Sequence, residues 1–89
     1  MVEFSAGTLT LSAYQKAANK TDNLFRTNRH LSFPLLGIFG EAGSILSEVK
    51  KKQRDRAAYI GYQKTVVEEF GDTLWYLSAI ACRSNVSLA

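Results

Sequence analysis

The segment that begins between Ala57 and Tyr62 and ends near Arg83 constrains the fold most, because its apolar residues recur at helical spacing. Apolar residues also lie off the main stripe, so this helix is apolar almost all round. Such a helix is typical of the middle of a bundle. Three helices cannot easily cover it, so the pattern predicts a homodimer or a further helix. The stripe consists of Val66, Val67, Phe70, Leu74, Leu77 and Ala81, and the residues off it include Trp75, Tyr76, Ala79, Ile80 and Cys82.

Two more helices are predicted before this one. The first follows Thr10 as N-cap and has apolar spacing as far as Phe25. The second opens with Ser32 as N-cap and Pro34 in its first turn, and it ends near Arg54. The repeating positions of the first are Leu11, Tyr14, Ala18, Thr21 and Phe25, and those of the second are Leu35, Ile38, Phe39, Ala42, Ile45, Leu46 and Val49.

These patterns predict an all-α fold, since no alternating strand pattern runs over a useful length. A chain of 89 residues has room for one domain, so residues 1–89 are expected to form a single antiparallel bundle of about three helices, completed by homodimerisation. Gly40, Gly43 and Gly71 are expected to permit close packing of the helices.

The composition excludes several classes of protein. An apolar content of 46% with 21% charged residues is that of a globular protein rather than a disordered one. Charges interrupt the apolar stretches, so no membrane span is expected, and Glu3 lies where a signal peptide would be basic. The single cysteine, Cys82, cannot form an internal disulfide, which predicts a cytoplasmic protein.

The net charge of +3 raises the question of nucleic-acid binding. The basic residues are scattered, apart from a cluster at Lys50–Lys52, Arg54 and Arg56 near the end of the second helix. A basic cluster at a helix end is typical of a solvated face that complements the helix dipole. A nucleic-acid partner is therefore not expected.

Acidic residues flank the apolar stripe on both of the longer helices. Measured from Ala42, an acidic flank lies at roughly −80° to −160° on the second helix, and a flank of the same hand lies beside Phe70 on the third. A short connection favours antiparallel packing, which brings flanks of the same hand together. The sequence therefore predicts one groove lined by Glu41, Glu48, Glu69 and Asp72.

Carboxylates gathered beside an apolar seam repel one another and lose hydration, so they take up protons unless a cation is present. Mg²⁺ prefers a few carboxylates together with several waters, and Mn²⁺ is an alternative ion. The spacing of Glu69 and Asp72 suits one ion, since residues three apart share a helix face. Acids on an amphipathic helix are also common as solvated groups, and spacing alone leaves that alternative open.

Two strings resemble the MazG-type, all-α nucleoside triphosphate pyrophosphohydrolases, a family marked by Glu-x-x-Glu on one helix and Glu-x-x-Asp on a later one. The strings are FGEAG at residues 39–43 and EEFGDTLWYL at residues 68–77, and the similarity extends to LSAYQ at 11–15 and VSL at 86–88. The resemblance implies that Glu41, Glu69 and Asp72 hold the metal. The remaining acid of the family falls on Ser44, and Glu48 one turn further on could replace it if the site shifts.

The reaction that the resemblance implies is Mg²⁺-dependent hydrolysis of a nucleoside triphosphate to the monophosphate and pyrophosphate. Glu41 or Glu69 would orient the attacking water, and Lys52 lies on the flank where it could meet phosphate. A hydroxyl at Ser44 is a weaker Mg²⁺ ligand than a carboxylate. The alternative is therefore a non-catalytic module that keeps the fold for dimerisation or nucleotide binding.

Overall fold

A computed structural model describes residues 9–89, and residues 1–8 of the predicted domain lie outside the described residues. The described chain forms three α-helices, α1 (Leu11–Thr21), α2 (Ser32–Asp55) and α3 (Tyr62–Arg83), with a 3₁₀ turn at Arg56–Ala58. It contains no strand, which confirms the all-α prediction over that range. None of these helices is both long enough and apolar enough to cross a lipid bilayer.

The start of α1 was predicted correctly, whereas its end was not. The hydroxyl oxygen of Thr10 accepts a hydrogen bond from the Ala13 amide at 3.1 Å, as an N-cap does. The helix ends at Thr21 rather than continuing to Phe25. The Asp22 side chain accepts a hydrogen bond from the Leu24 amide at 3.2 Å, and this local turn competes with another turn of helix.

The predicted N-cap of α2 was wrong. Ser32 is already the first helical residue, and Leu31 is the N-cap with no side-chain hydrogen bond. Pro34 lies in the first turn as predicted, where its missing N–H costs nothing.

Helices α2 and α3 form an antiparallel hairpin. Phe33 and Gly37 of α2 lie against Tyr76 near the C-terminal end of α3, and Lys52 lies over the ring of Tyr62 at the other end. A Cβ atom at Gly37 would overlap the Tyr76 ring, so this glycine allows the close approach.

The glycines predicted to permit close packing do not do so within the described chain. A Cβ at Gly40, Gly43 or Gly71 would meet no atom within 4 Å. That prediction was wrong for contacts inside the protomer, because these three positions are exposed.

Helix α3 lies in the middle of the bundle, as predicted. Both α1 and α2 pack against it, and within residues 9–89 no Cα atom of α1 lies within 8 Å of a Cα atom of α2. The buried apolar side chains are small and include Ala18 of α1 with Ala79 and Ala81 of α3. The amide of Gln15 ties the C-terminal segment to α1 through the Val86 carbonyl oxygen at 2.8 Å and the Leu88 amide at 3.0 Å.

The apolar stripes of α2 and α3 do not face each other, which corrects the simplest interpretation of the sequence. Phe39 and Leu46 are 75% and 69% exposed, whereas Glu48 on the acidic flank is buried. The acidic flank of α2 therefore faces α3, and the stripe turns outward by roughly a quarter of a turn. Because flanks of the same hand meet in antiparallel helices, helical geometry places the two exposed stripes on one side of the hairpin. We call this surface the outer apolar face; its exposed side chains are Leu35, Phe39, Leu46, Val67, Phe70 and Leu77.

Candidate metal centre

Three carboxylates from two helices converge at the α2–α3 interface. One oxygen from each of Glu41, Glu69 and Asp72 lies within 4.8 Å of the other two. Glu69 and Asp72 share a face of α3 because they are three residues apart. Glu41 reaches them from α2 because the acidic flank of that helix faces α3. The structure thus brings together three of the four acids predicted to line one groove, and we call them the acidic cluster.

The acidic cluster carries negative charge that no ion pair within the described chain offsets. Within residues 9–89, none of the three carboxylates forms an ion pair with lysine or arginine. A hydrogen bond with Glu69, then burial and the charges of Glu69 and Asp72, raise the pKa of Glu41 from 4.5 to about 7. The Oε2 atom of Glu41 is buried and has no hydrogen-bond partner in the described chain. Without a cation, the carboxyl of Glu41 is therefore driven toward its protonated form.

This donor set fits a hard divalent cation. The cluster offers three carboxylates from two packed helices, and the buried Glu41 Oε2 atom lacks a partner. Asp72 is exposed, so water and phosphate oxygens can complete a coordination shell. Mg²⁺ keeps several waters and is held by a small number of carboxylates, which is the arrangement that Glu41, Glu69 and Asp72 could provide.

Tyr14 of α1 lies close enough to the acidic cluster to feel the charge of Asp72, although its spacing in the sequence marks it only as a repeat position of the helix. Burial, and then the negative charge of Asp72, raise the pKa of Tyr14 above its usual value. The signal that could have found it is its place in the LSAYQ string at residues 11–15, which belongs to the resemblance.

Glu48 lies outside the acidic cluster. Its carboxylate accepts a hydrogen bond from the Tyr59 hydroxyl and lies 3.4 Å from the Lys51 ammonium. The hydrogen bond from Tyr59, followed by the interactions with Lys51, lowers the pKa of Glu48. Seven residues separate Glu48 from Glu41, roughly 10 Å along the helix axis. The structure therefore gives this acid partners of its own, at the turn between α2 and α3.

Lys52, predicted to meet phosphate, lies at the C-terminal end of α2. Its ammonium donates a hydrogen bond to the Arg56 carbonyl oxygen at 3.0 Å and lies 5.6 Å from the centroid of the Tyr62 ring. It thus caps the helix rather than approaching the acidic cluster. Ser44 is half-buried and follows Glu41 by one turn on the same side of α2.

Comparison with known proteins gives one distant relative. The chain is 36% identical over 61 residues to the Gene 37 protein of Mycobacterium phage L5. The matched region covers 66% of this chain and 54% of that protein, so the chain spans about half the length of the relative. No protein-family profile matches the chain, and no solved structure matches it significantly. The name of the relative describes no activity or ligand.

Proposed function

We propose that this protein is a Mg²⁺-dependent nucleoside triphosphate pyrophosphohydrolase of the MazG type. The observation that carries the proposal is the uncompensated acidic cluster, in which Glu41, Glu69 and Asp72 approach within 4.8 Å at the spacing that the resemblance implies. The reaction would convert a nucleoside triphosphate to its monophosphate and pyrophosphate. Mn²⁺ would be an alternative ion.

In this proposal the three carboxylates hold the ion and orient the water. A bound divalent ion would supply neutralisation of the phosphate charge and a lower pKa for the attacking water. Glu41 or Glu69 accepts a hydrogen bond from that water and directs it at the α-phosphorus. As the water oxygen bonds to this phosphorus, the same carboxylate takes the proton that the water loses, the bond from the α-phosphorus to the bridging oxygen breaks, and pyrophosphate leaves.

The second candidate is a non-catalytic module with the same fold, and Ser44 is the residue that favours it. A hydroxyl there binds Mg²⁺ more weakly than the carboxylate that the resemblance implies. Glu48 does not compensate in this arrangement, because its carboxylate is paired with Tyr59 and Lys51. Weak metal binding and slow turnover are the expected consequences.

A pyrophosphate-release assay separates the two candidates. It uses a panel of canonical and modified nucleoside triphosphates with Mg²⁺ or Mn²⁺, and it compares the wild type, Ser44→Glu and Glu48→Gln. The pyrophosphohydrolase proposal predicts more release in Ser44→Glu and wild-type activity in Glu48→Gln. Loss of activity in Glu48→Gln would show instead that Glu48 supplies the fourth ligand. If all three proteins bind no metal and release no pyrophosphate, the non-catalytic module becomes the better account.

The proposed functional unit is a homodimer joined through the outer apolar face. Its six side chains are between 42% and 75% exposed, and a second copy would bury them. Trp75 makes contacts within the protomer: its indole N–H donates to the Thr21 hydroxyl at 2.8 Å, and its ring packs edge-on against Phe33.

Light scattering at micromolar concentration tests the dimer. The wild type and Ile60→Asp should both be dimers, because Ile60 is 93% exposed at the hairpin turn and lies outside the outer apolar face. Phe39→Asp, at a 75% exposed position on that face, should be a monomer. A monomeric wild type would contradict this part of the proposal.

A further inference from the structure

The region formed by α1 and the segment that links it to α2 is basic and almost free of acids. Between residues 9 and 40, Asp22 is the only acidic residue, against four cationic side chains at Lys16, Lys20, Arg26 and Arg29. The carboxylate of Asp22 is buried and is neutralised by Arg83 at 2.5 Å. The exposed charge of this region is therefore entirely positive.

A concave site of about 440 Å³ lies within this basic region, at the end of α1; we call it the linker cavity. Both cationic side chains that line it, Lys20 and Arg26, are exposed, and neither forms an ion pair within residues 9–89. The volume falls in the range typical of small-molecule sites. The lining residues are Asn19, Lys20, Asp22, Asn23, Phe25 and Arg26.

Asn19, which lines the linker cavity, has a side-chain oxygen that lacks a hydrogen-bond partner within the described chain. Its Oδ1 atom is buried and has no partner in the described part of the chain. A buried acceptor without a donor is costly, and a ligand hydroxyl could satisfy it. The other lining amide, Asn23, is exposed at the rim.

The linker cavity is held in shape by the chain itself. Arg83 pairs with Asp22 and donates to the Asn28 carbonyl oxygen at 3.2 Å, which fixes both ends of the linker. The guanidinium groups of Arg29 and Arg83 lie 4.4 and 5.7 Å from the centroid of the Phe25 ring. Because these two guanidinium groups already lie close to the Phe25 ring, the cavity favours binding of an anion over stacking of an aromatic ligand on that ring.

We propose that the linker cavity binds a small phosphate ester that carries hydroxyl groups. Lys20 and Arg26 hold the phosphate, and the Asn19 carbonyl oxygen accepts a hydrogen bond from a ligand hydroxyl. Asp22 does not oppose the anion because Arg83 neutralises it. The site is built from α1 and the linker rather than from the acidic cluster, so it stands whether or not the protein hydrolyses nucleotides.

Amide chemical shifts of the full chain, titrated with ribose 5-phosphate, inorganic phosphate and ribose, test the proposal. The expected order of affinity is ribose 5-phosphate above phosphate, with no binding of ribose, and the shifts should centre on residues 19–26. Lys20→Ala and Arg26→Ala should each weaken both phosphorylated ligands about tenfold, as expected for one charge-assisted contact. Asn19→Ala should remove the preference for ribose 5-phosphate over phosphate. Lys64→Ala, an exposed lysine on α3, is the matched control and should change nothing.

Three results would overturn the proposal. The first is the absence of shifts at residues 19–26 with any phosphorylated ligand. The second is equal weakening by Lys64→Ala, which would mean that only overall charge matters. The third is tight binding of a single-stranded oligonucleotide with shifts spread over Lys16 and Arg29 as well, which would make this region a nucleic-acid surface instead.

Discussion

The Asp22–Arg83 pair and the acidic cluster both hold charged side chains at contacts between elements of the bundle, and they are compensated in different ways. At the end of α1, Asp22 meets Arg83 at 2.5 Å, with 2% and 0% of the two side chains exposed. At the α2–α3 interface, three carboxylates lie within 4.8 Å of one another and no cationic side chain in the described chain pairs with them.

The difference separates a charge that is compensated within the chain from charges that are not. In a buried ion pair each charge neutralises the other, so the pair needs no ligand and can serve only to hold the chain in place. A partly buried cluster of like charges has to be compensated from outside, by protons or by a cation. The acidic cluster is therefore the place in the described chain where a ligand would relieve an existing electrostatic cost.

The largest expected loss of stability comes from breaking the Asp22–Arg83 pair. Arg83→Met leaves Asp22 buried without a partner and should lower the free energy of unfolding by about 3–5 kcal/mol in urea denaturation. Arg54→Ala is the control, since Arg54 pairs with Asp55 at the surface, where such pairs contribute less than about 1 kcal/mol. A loss no greater than that of the control would contradict the burial of the Asp22–Arg83 pair.

The second effect concerns the close approach that lets the acids converge. Gly37→Ala places a methyl group against the Tyr76 ring and should lower the free energy of unfolding by about 1–3 kcal/mol. Gly40→Ala introduces the same methyl group in open space on the same helix and should raise stability by up to about 1 kcal/mol. Changes of the same sign in both variants, measured by urea denaturation, would show that α2 and α3 are further apart at Gly37.

A smaller effect is expected from the titration of Glu41. Its folded-state pKa of about 7 lies above the ordinary value of 4.5, so its protonated form favours folding at low pH. This contribution is present below pH 4.5 and is lost as the pH rises through 7. The free energy of unfolding of the metal-free protein should therefore fall over this window.

Glu41→Gln provides the test, because an amide resembles the protonated carboxyl and does not titrate. Chemical denaturation at a series of pH values should give a flatter profile for Glu41→Gln than for the wild type. Saturating Mg²⁺ should also flatten the wild-type profile, since the ion stabilises the charged form. Identical profiles in wild type and variant would place the Glu41 carboxyl in ordinary solvent.

The sequence predicted local structure and the acidic cluster better than it predicted packing. The limits of α3 and the same-handed acidic flanks follow from helical periodicity, which is local information. The rotation of α2 that turns its apolar stripe outward could not be predicted. The sequence pattern of an apolar stripe is the same whether the stripe packs inside the protomer or against a second copy. Glu48 was predicted to lie in one groove with the acidic cluster. Its hydrogen-bond partner Tyr59 lies beyond the end of α2, so helical periodicity could not reveal this contact. The pairing of Asp22 with Arg83 joins residues that are 61 positions apart, which no periodicity reveals.

Calorimetric titration with Mn²⁺ decides whether the acidic cluster binds a divalent ion. We expect one ion per chain in the wild type, binding at least about tenfold weaker in Asp72→Asn, and unchanged binding in Glu48→Gln, whose carboxylate is paired elsewhere. Asp72 and Glu48 are both acids, so the comparison controls for the loss of one negative charge. Equal Mn²⁺ affinity in the wild type and Asp72→Asn would mean that the acidic cluster holds no ion, which would refute the proposed metal centre.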